Sequence, residues 1–152
     1  GVDAGVFTYG LDENRVPQVP LNAWDVAWYD FSARPGTGGT AVFAGHVTWS
    51  GQAIFYSLDQ LQRGDTVRLV GEDGAELVYT VSETFLVDPN DPAALSVMGA
   101  TDADVMTIVT CGGTFFYTGD PVFRGDYTNR LIVRASLSSV NAVAAPAAAS
   151  GR

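Results

Sequence analysis

The amino-acid sequence predicts an all-β domain, a closed or nearly closed barrel of about seven to eight strands with one or two short helices. Short apolar runs rich in β-branched and aromatic residues recur along the 152-residue chain, separated by glycine, proline and Asp/Asn turns. Apolar residues make up 47% and charged residues only 16%, which is typical of a globular domain and not of a disordered chain.

Seven runs are predicted as strands, and in chain order they are GVFTYG (5–10), DVAWYDF (25–31), TAVFAGHV (40–47), DTVRLVG (65–71), ELVYTVSETFLV (76–87), DVMTIVTC (104–111) and RLIVRASL (130–137). The fourth and fifth form the clearest hairpin, because Asp73-Gly74 is a favourable turn dipeptide and the flanking runs alternate. Helix signals are weak. FYSLDQL (55–61) predicts one or two turns, and so does DPAALSVMG (91–99), with Asp91 as its N-cap.

Charge excludes one class of partner. The net charge is −9 and all eight basic residues are arginines, so the chain has no basic patch that could follow phosphates, and we expect no nucleic-acid partner. No run reaches the roughly 18 apolar residues that a membrane-spanning helix requires. The sequence starts at Gly1 without a signal-like segment, so we expect a trimmed soluble domain whose flanks held targeting information.

The chain is predicted to divide into one folded domain, residues 1–137, and a tail rich in small residues, 138–152. We find no internal repeat. The connection from Val87 to Asp104 is the most loop-like interior segment, and loops of this length in compact domains are often functional.

Cys111 is the only cysteine and His46 the only histidine, so cysteine–histidine chemistry has one possible pairing. Each lies at the end of an apolar run, and two strand ends can meet across a sheet. Arg130 opens the last predicted strand, and its guanidinium would favour a thiolate and hold an oxyanion. Gly112 and Gly113 follow the cysteine and would let a substrate backbone approach it.

Each of these residues also has a purely structural interpretation. A lone cysteine at the end of an apolar strand is most often a small buried hydrophobe, and a lone histidine or arginine is usually a satisfied or solvated polar residue. From the residues alone, a cysteine enzyme and a β-barrel binding module with an inert cysteine therefore both stay open.

Five segments, which follow the family's order along the chain, resemble the sortase family of cysteine transpeptidases. TIVTC (107–111) resembles the family's Thr-Leu-x-Thr-Cys motif, with isoleucine in place of leucine. RPGTGGTAVFAGHV (34–47) resembles the segment that ends in the family's Gly-His pair, and NRLIVRA (129–135) the strand that its arginine opens. FYSLDQLQRGDTVRL (55–69) resembles the Leu-x-x-Gly-Asp-x-Val segment, and LVYTVSETFLVDPND (77–91) the strand after it. The segment VTCGG (109–113) is most similar to sortases of classes D to F from high-GC Gram-positive bacteria.

The resemblance implies an enzyme that cleaves the Thr-Gly bond of a Leu-Pro-x-Thr-Gly sorting signal. Cys111 would form the thioacyl intermediate, His46 would act as general acid and base, and Arg130 would hold the substrate backbone or the oxyanion. Thr110 would add a further donor. The partners implied are a sorting-signal peptide and an amine acceptor, either a cell-wall precursor or a pilin lysine. The implied location is the outer face of the cell membrane, with an anchor in a segment outside this sequence.

The resemblance also implies a substrate groove beneath the loop from Val87 to Asp104. Its small and apolar residues, which would receive the Leu-Pro part, are Ala93, Ala94, Leu95 and Val97. Glu83, Asp88 and Asp91 raise the question of calcium, which some relatives bind, but solvated loop carboxylates fit the pattern better. We therefore predict no metal and no cofactor.

The sequence departs from the family pattern between Cys111 and Arg130, where the segment is longer than in many members and contains a second arginine, Arg124, in PVFRGDY. If this loop folds back, Arg124 would take the role given to Arg130. We favour Arg130, because a strand holds a side chain more rigidly than a loop. Another type of cysteine peptidase is an alternative, as is a peptidoglycan L,D-transpeptidase. The latter has a serine and a glycine before its cysteine, where this chain has Val109 and Thr110.

Overall fold

The computed structural model describes residues 1–122 and 124–143. Seven strands and two short 3-10 helices make up its regular structure. The strands are β1 (Val6–Tyr9), β2 (Val26–Tyr29), β3 (Gly39–Ala44), β4 (Thr66–Val70), β5 (Glu76–Val87), β6 (Asp104–Tyr117) and β7 (Gly125–Asn141). The helices are η1 (Leu58–Gln60) and η2 (Pro92–Met98). All seven predicted strands and both predicted helical turns are therefore confirmed, with differences in length described below.

All seven strands belong to one sheet in the order β1-β2-β3-β6-β7-β5-β4. The sheet curls into a half-barrel, which confirms the predicted all-β, barrel-like class. Two pairs are parallel, β1 with β2 and β3 with β6, and the other pairs are antiparallel. The parallel pairing of β3 with β6 matters most for function, because the two strands start together and run in the same direction.

The two faces of the sheet bury separate apolar clusters. One face of β6 and β7 carries Met106, Ile108, Leu131 and Val133 into the main core, which also receives residues from β3, β5 and η1. The opposite face packs a smaller cluster of Ala27, Tyr29 and Val42, against which Val109 lies. Cys111 follows Val109 at the next position with the same orientation, because side chains alternate along a strand. The cysteine therefore belongs to the face of the smaller cluster.

The strands β6 and β7 are longer than predicted and form a hairpin. We predicted that β6 would end at Cys111 and that β7 would begin at Arg130, but pairing continues to Tyr117 with Gly125. The glycine pair after Cys111 is accommodated by a register shift between Gly112 and Phe115. Gly113 has a φ of 78° there, a conformation that glycine adopts without strain.

Two further boundaries differ from the sequence prediction. The strand β3 ends at Ala44, so His46 lies just beyond it instead of within it. Residues 138–141, which were predicted to start the tail, continue β7, and 139–141 pair with β5 as far as Glu76. The remainder of the predicted tail, from 144 onward, lies outside the described residues.

The helix η2 covers the face of the sheet that carries Cys111. Asp91 caps it as predicted, since its carboxylate accepts a hydrogen bond from the Ala93 amide at 2.9 Å. The Thr107 hydroxyl donates to the Val97 carbonyl at 3.1 Å, which ties the helix to β6. Within the described residues, no helix is long and apolar enough to cross a membrane.

Candidate active site

Cys111 and Arg130 lie side by side on adjacent strands. They are register partners in the antiparallel pair β6–β7, and Val87 of β5 is the register partner of Arg130 on its other side. Partners in register point their side chains to the same face of a sheet. The Cys111 sulfur and the Arg130 guanidinium, which we predicted to act together, therefore lie side by side on the same face of the sheet.

His46 comes to the same end of the sheet from β3. The last parallel pair is Ala44 with Val109, and two residues further along each chain are His46 and Cys111. The Thr110 hydroxyl donates to the Gly45 carbonyl at 2.7 Å. This hydrogen bond joins the two segments one residue before Cys111 and His46. His46, Cys111 and Arg130 therefore lie on three neighbouring segments at the same end of the sheet.

The Pro20 carbonyl and the Trp49 ring contact the imidazole of His46 and orient it. Its Nε2 lies 2.6 Å from the Pro20 carbonyl oxygen, and its ring packs on Trp49 with centroids 4.9 Å apart. A carbonyl oxygen can only accept a hydrogen bond, so Nε2 carries the hydrogen in this contact. In the neutral ring, Nδ1 is then the nitrogen with a lone pair that can take a proton.

The Cys111 thiol is half-buried, and its surroundings favour the protonated form. Burial raises the pKa of the Cys111 thiol, Arg130 lowers it, and Asp126 raises it further. Burial is the largest of these effects, so the net shift is upward. In the resting protein the sulfur is therefore a thiol that requires activation.

Arg130 is held by neighbours on its own strand. Its Nη2 donates to the Asp126 carboxylate at 3.0 Å, and its Nη1 donates to the Tyr127 and Asn129 carbonyls at 3.1 Å each. The other Asp126 oxygen lies 4.0 Å from the Cys111 sulfur. Sequence reasoning missed Asp126. The predicted strand began at Arg130 and left Asp126 outside it. In the structure β7 begins at Gly125, so Asp126 precedes Arg130 by four residues in one strand and shares its face.

Arg124, the alternative to Arg130, lies at the far end of the hairpin. It is exposed, has a φ of 55°, and belongs to the turn that closes between Thr118 and Arg124. The last ladder pair, Tyr117 with Gly125, lies six residues beyond Cys111 along β6, or about 20 Å at the rise of an extended strand. The loop does not fold back over the thiol, so the geometry favours Arg130.

Thr110 and Gly112, which we predicted to bind substrate, are packed against other parts of the sheet. Thr110 is buried and its hydroxyl donates to Gly45, so it faces the strand pair and not an approaching peptide. Gly112 does line a cavity beside Cys111, but a Cβ there would come within 3.3 Å of the Leu131 backbone nitrogen and 2.8 Å of Leu86. Its lack of a side chain is thus required by packing within the sheet, whereas we predicted a role in substrate approach.

A groove of about 310 Å³ lies between η2 and the end of β5. The residues that line it include Ala93, Ala94 and Val97, all predicted to contact substrate. Leu95 does not line the groove, and its side chain is 66% exposed. The 3-10 turn carries it to the outer side of the helix. Val87 also lines the groove, which therefore opens on the same row as Arg130 and Cys111.

A second cavity of about 410 Å³ reaches the cysteine itself. It is lined by Cys111, Gly112, Gly113, Leu86 and Tyr127, together with residues on and before η1. Both volumes fall within the range of ligand sites. They share Phe85 and Leu86, so they flank the end of β5, where β4 no longer pairs.

The loop carboxylates form no metal site. Asp88 accepts from the Asn90 amide at 2.8 Å, Asp91 caps η2, and Glu83 lies 3.8 Å from Arg134. Among residues 1–122 and 124–143, no group of three or more ligating side chains could hold a metal ion. Independence from metals stays a prediction.

The arrangement can support nucleophilic chemistry on an acyl group. A thiol sits beside a fixed cation that can stabilise a thiolate or an oxyanion, and an imidazole from the next strand can move a proton. Two cavities give a substrate and a second reactant room to approach.

Comparisons with known proteins identify the family and the fold. A family model, the sortase domain, matches residues 1–138. Among solved structures, the chain is similar to a Clostridium perfringens Sortase D5 transpeptidase, at 29% identity over 76% of this chain and 62% of that chain, with a TM-score of 0.57. This chain thus spans less than two thirds of the Clostridium protein.

Two further structures share the fold at lower identity. Listeria monocytogenes sortase A is 19% identical, with 91% of this chain and 81% of that chain covered and a TM-score of 0.64. The SrtA sortase from Actinomyces oris is 22% identical, with 89% and 70% covered and a TM-score of 0.65. No curated protein matches. Because the sortase model matches nearly the whole chain, the protein belongs to the sortase family.

Proposed function

We propose that this protein is a cysteine transpeptidase that cuts a sorting signal of the Leu-Pro-x-Thr-Gly type between threonine and glycine and joins the threonine to an amine. The observation that carries the proposal is the row formed by Cys111 and Arg130, with His46 brought alongside by the Thr110–Gly45 hydrogen bond. The 29% identical Clostridium perfringens protein is named a transpeptidase, which supports this reaction class.

In the first half-reaction, the Cys111 thiol gives its proton to His46, and the resulting thiolate attacks the carbonyl carbon of threonine and forms a carbon–sulfur bond. Arg130 donates hydrogen bonds to the oxygen that becomes negative. The carbon–nitrogen bond to glycine then breaks, and the imidazolium of His46 gives its proton to the leaving amine. A thioacyl-enzyme and a free glycine amine result.

In the second half-reaction, a new amine attacks the thioacyl carbon and loses a proton to His46. The carbon–sulfur bond breaks, the sulfur leaves as a thiolate, and an amide remains. Atoms balance without a cofactor, because each proton that His46 gives in the first half returns in the second.

The groove between η2 and β5 is suited to the Leu-Pro part of the signal. Its lining combines Ala93, Ala94 and Val97, which are small or apolar, and it opens toward Arg130 through Val87. Residues 83–87 of β5 pair with β7 but not with β4, so an extended peptide can lie along this edge. The peptide would then run from the groove to the thiol.

The acceptor and the cellular setting are part of the same proposal. The acceptor is the amine of a cell-wall precursor or a pilin lysine, and the enzyme belongs to classes D to F. It works on the outer face of the cell membrane, held there by a segment outside this sequence. A cell-wall peptide amine and a pilin lysine peptide, offered separately to the thioacyl-enzyme, distinguish the two acceptors.

Cleavage of a fluorogenic sorting-motif peptide tests the function. We expect Cys111→Ala to lose activity and His46→Ala and Arg130→Ala to lose about 10²-fold or more, the usual range for acid–base and oxyanion groups. Arg124→Ala is the matched control and should stay within about twofold, since it lies on the hairpin end.

Two results would contradict the proposal. One is cleavage by Cys111→Ala at the wild-type rate. The other is a Cys111 thiol that stays unreactive toward alkylating agents in the folded protein even when the pH is raised, which would fit a non-catalytic barrel with an inert cysteine. Equal losses in Arg124→Ala and Arg130→Ala would contradict only the role given to Arg130.

A further inference from the structure

Asp126 lies between the Cys111 thiol and the Arg130 guanidinium. One of its carboxylate oxygens accepts from Arg130 Nη2 at 3.0 Å, and the other lies 4.0 Å from the Cys111 sulfur, within hydrogen-bond range for a thiol. That second oxygen also accepts from the Tyr127 amide at 2.7 Å. The carboxylate therefore bridges the nucleophile and the cation.

This bridge opposes catalysis in two ways. A carboxylate beside the sulfur repels a thiolate, because like charges at this distance destabilise each other. The same carboxylate also occupies Nη2 of Arg130, a donor that a substrate carbonyl oxygen would use. The remaining Arg130 contacts, from Nη1 to the Tyr127 and Asn129 carbonyls, hold the guanidinium in place without Asp126. The ion pair is thus not required to position the arginine.

The bridge is also easy to open. The Asp126 side chain is 40% exposed and that of Arg130 is 27% exposed. An ion pair this close to water is weak, and a charged oxygen that swings outward regains its hydration. Among the described residues, the charged groups whose fields act on the thiol are Arg130 and Asp126, both on β7, and the ionisable His46 lies beyond the end of β3. Asp126 is the one whose charge works against the thiolate.

We propose that Asp126 is a latch on the resting site: it pairs with Arg130 and accepts from the Cys111 thiol until a substrate carbonyl oxygen displaces it from Arg130. The latch rests on the proposed transpeptidase function. Its consequence is a nucleophile that is restrained in the absence of substrate. A thiol exposed on the cell surface would otherwise react with small electrophiles and oxidants.

The test compares Asp126→Asn with wild type in two assays. Asparagine keeps the shape and can still accept from the Tyr127 amide, but it removes the charge. We expect alkylation of Cys111 by iodoacetamide at pH 7 to speed up about three- to tenfold, because the thiolate loses its repulsive neighbour. We also expect KM for the sorting peptide to fall about threefold or more with no loss in kcat, because Arg130 is already released.

Control variants distinguish the effect of the charge beside Cys111 from the effect of the net charge of the protein. Asp73→Asn removes the same charge from the β4–β5 turn and should leave both assays unchanged. Asp126→Glu keeps the charge and should stay near wild type in alkylation. Asp126→Ser serves as a second neutral variant and should speed alkylation as Asp126→Asn does.

An alkylation rate in Asp126→Asn that equals or falls below the wild-type rate would overturn the latch. A loss in kcat at unchanged KM would do the same, since it would make Asp126 a support for Arg130. Alkylation needs no peptide, so a wild-type protein that cleaves no sorting peptide would refute the proposed function while the alkylation assay still decides the latch.

Discussion

At the scale of single residues, one buried hydroxyl decides how the histidine and the cysteine are placed. Thr110 Oγ1 donates to the Gly45 carbonyl at 2.7 Å, and these two residues directly precede Cys111 and His46. Neighbouring Gly45 is packed so closely that an added Cβ would come within 2.7 Å of the Phe55 ring. The end of β3 is thus held on one side by a hydrogen bond and on the other by an aromatic side chain.

Thr110→Val should therefore impair the enzyme without touching the substrate. Valine keeps the shape but leaves the Gly45 carbonyl without its donor, and an unsatisfied buried acceptor costs about 1–3 kcal/mol of folding free energy. We expect kcat to fall more than tenfold with KM nearly unchanged, measured with the fluorogenic peptide. Thr110→Ser restores the hydroxyl and should recover most of the activity. Equal loss in the serine variant would show that the methyl group, and not the hydrogen bond, is what matters.

The pH dependence of the thiol is a second residue-scale prediction. Burial raises the pKa of Cys111 and outweighs the lowering by Arg130, so less thiolate is present at pH 7 than in a free cysteine. Alkylation should therefore accelerate as the pH rises, with a midpoint above the ordinary value of about 8.5. Arg130→Gln removes the lowering charge and should move the midpoint further upward. A midpoint below that of free cysteine in the wild type would contradict the assignment.

At the scale of elements, a buried network aligns the starts of β3 and β6. The Asp104 carboxylate accepts from the Gly38 amide at 2.9 Å and from the Tyr79 hydroxyl at 2.8 Å, and that hydroxyl accepts from the Gly36 amide. Tyr79 is fully buried, and burial followed by its bond to Asp104 raises its pKa. Because β3 and β6 are parallel, a register set at their starts is carried to His46 and Cys111 at their ends.

Tyr79→Phe should destabilise the domain through this network. The change leaves the Asp104 oxygen and the Gly36 amide without their shared partner, and we expect the free energy of unfolding to fall by about 1–3 kcal/mol in urea denaturation. Tyr117→Phe is a suitable control, because Tyr117 is 84% exposed at the hairpin end. Identical midpoints for the two variants would indicate that the network contributes no net stability.

At the scale of the whole molecule, the surface is strongly acidic. The chain carries a net charge of −9 with no lysine, so its long-range field attracts cations. The proposed second substrate is an amine, which is positively charged before it reacts. The field should therefore increase the local concentration of the acceptor around the enzyme while leaving a neutral sorting peptide unaffected.

Raising the salt concentration should therefore weaken the binding of the acceptor amine. We expect KM for a lysine-containing acceptor peptide to rise a few-fold between about 0.05 M and about 0.5 M salt, because salt shortens the range of the field to a few ångströms. Hydrolysis of a neutral sorting peptide, followed in the same buffers, is the control. The same salt dependence in both assays would mean that the net charge does not guide the acceptor.

The amino-acid sequence by itself determined the class of fold, the identity of all seven strands and the three groups proposed for catalysis. These are local or compositional properties: alternation identifies strands, Asp73-Gly74 identifies a turn, and a chain with one cysteine and one histidine allows one pairing. The family resemblance rested on motifs of this local kind, and the sortase model confirmed it.

Only the tertiary structure decided which residues lie beside these three groups. The lengths of β6 and β7, the position of Arg124 at the far hairpin end, the outward side of Leu95 and the inward hydroxyl of Thr110 all depend on register between strands distant in sequence. Asp126 was overlooked for the same reason. Its charge was visible in the sequence, but its place between the thiol and the guanidinium results from how two long strands pair.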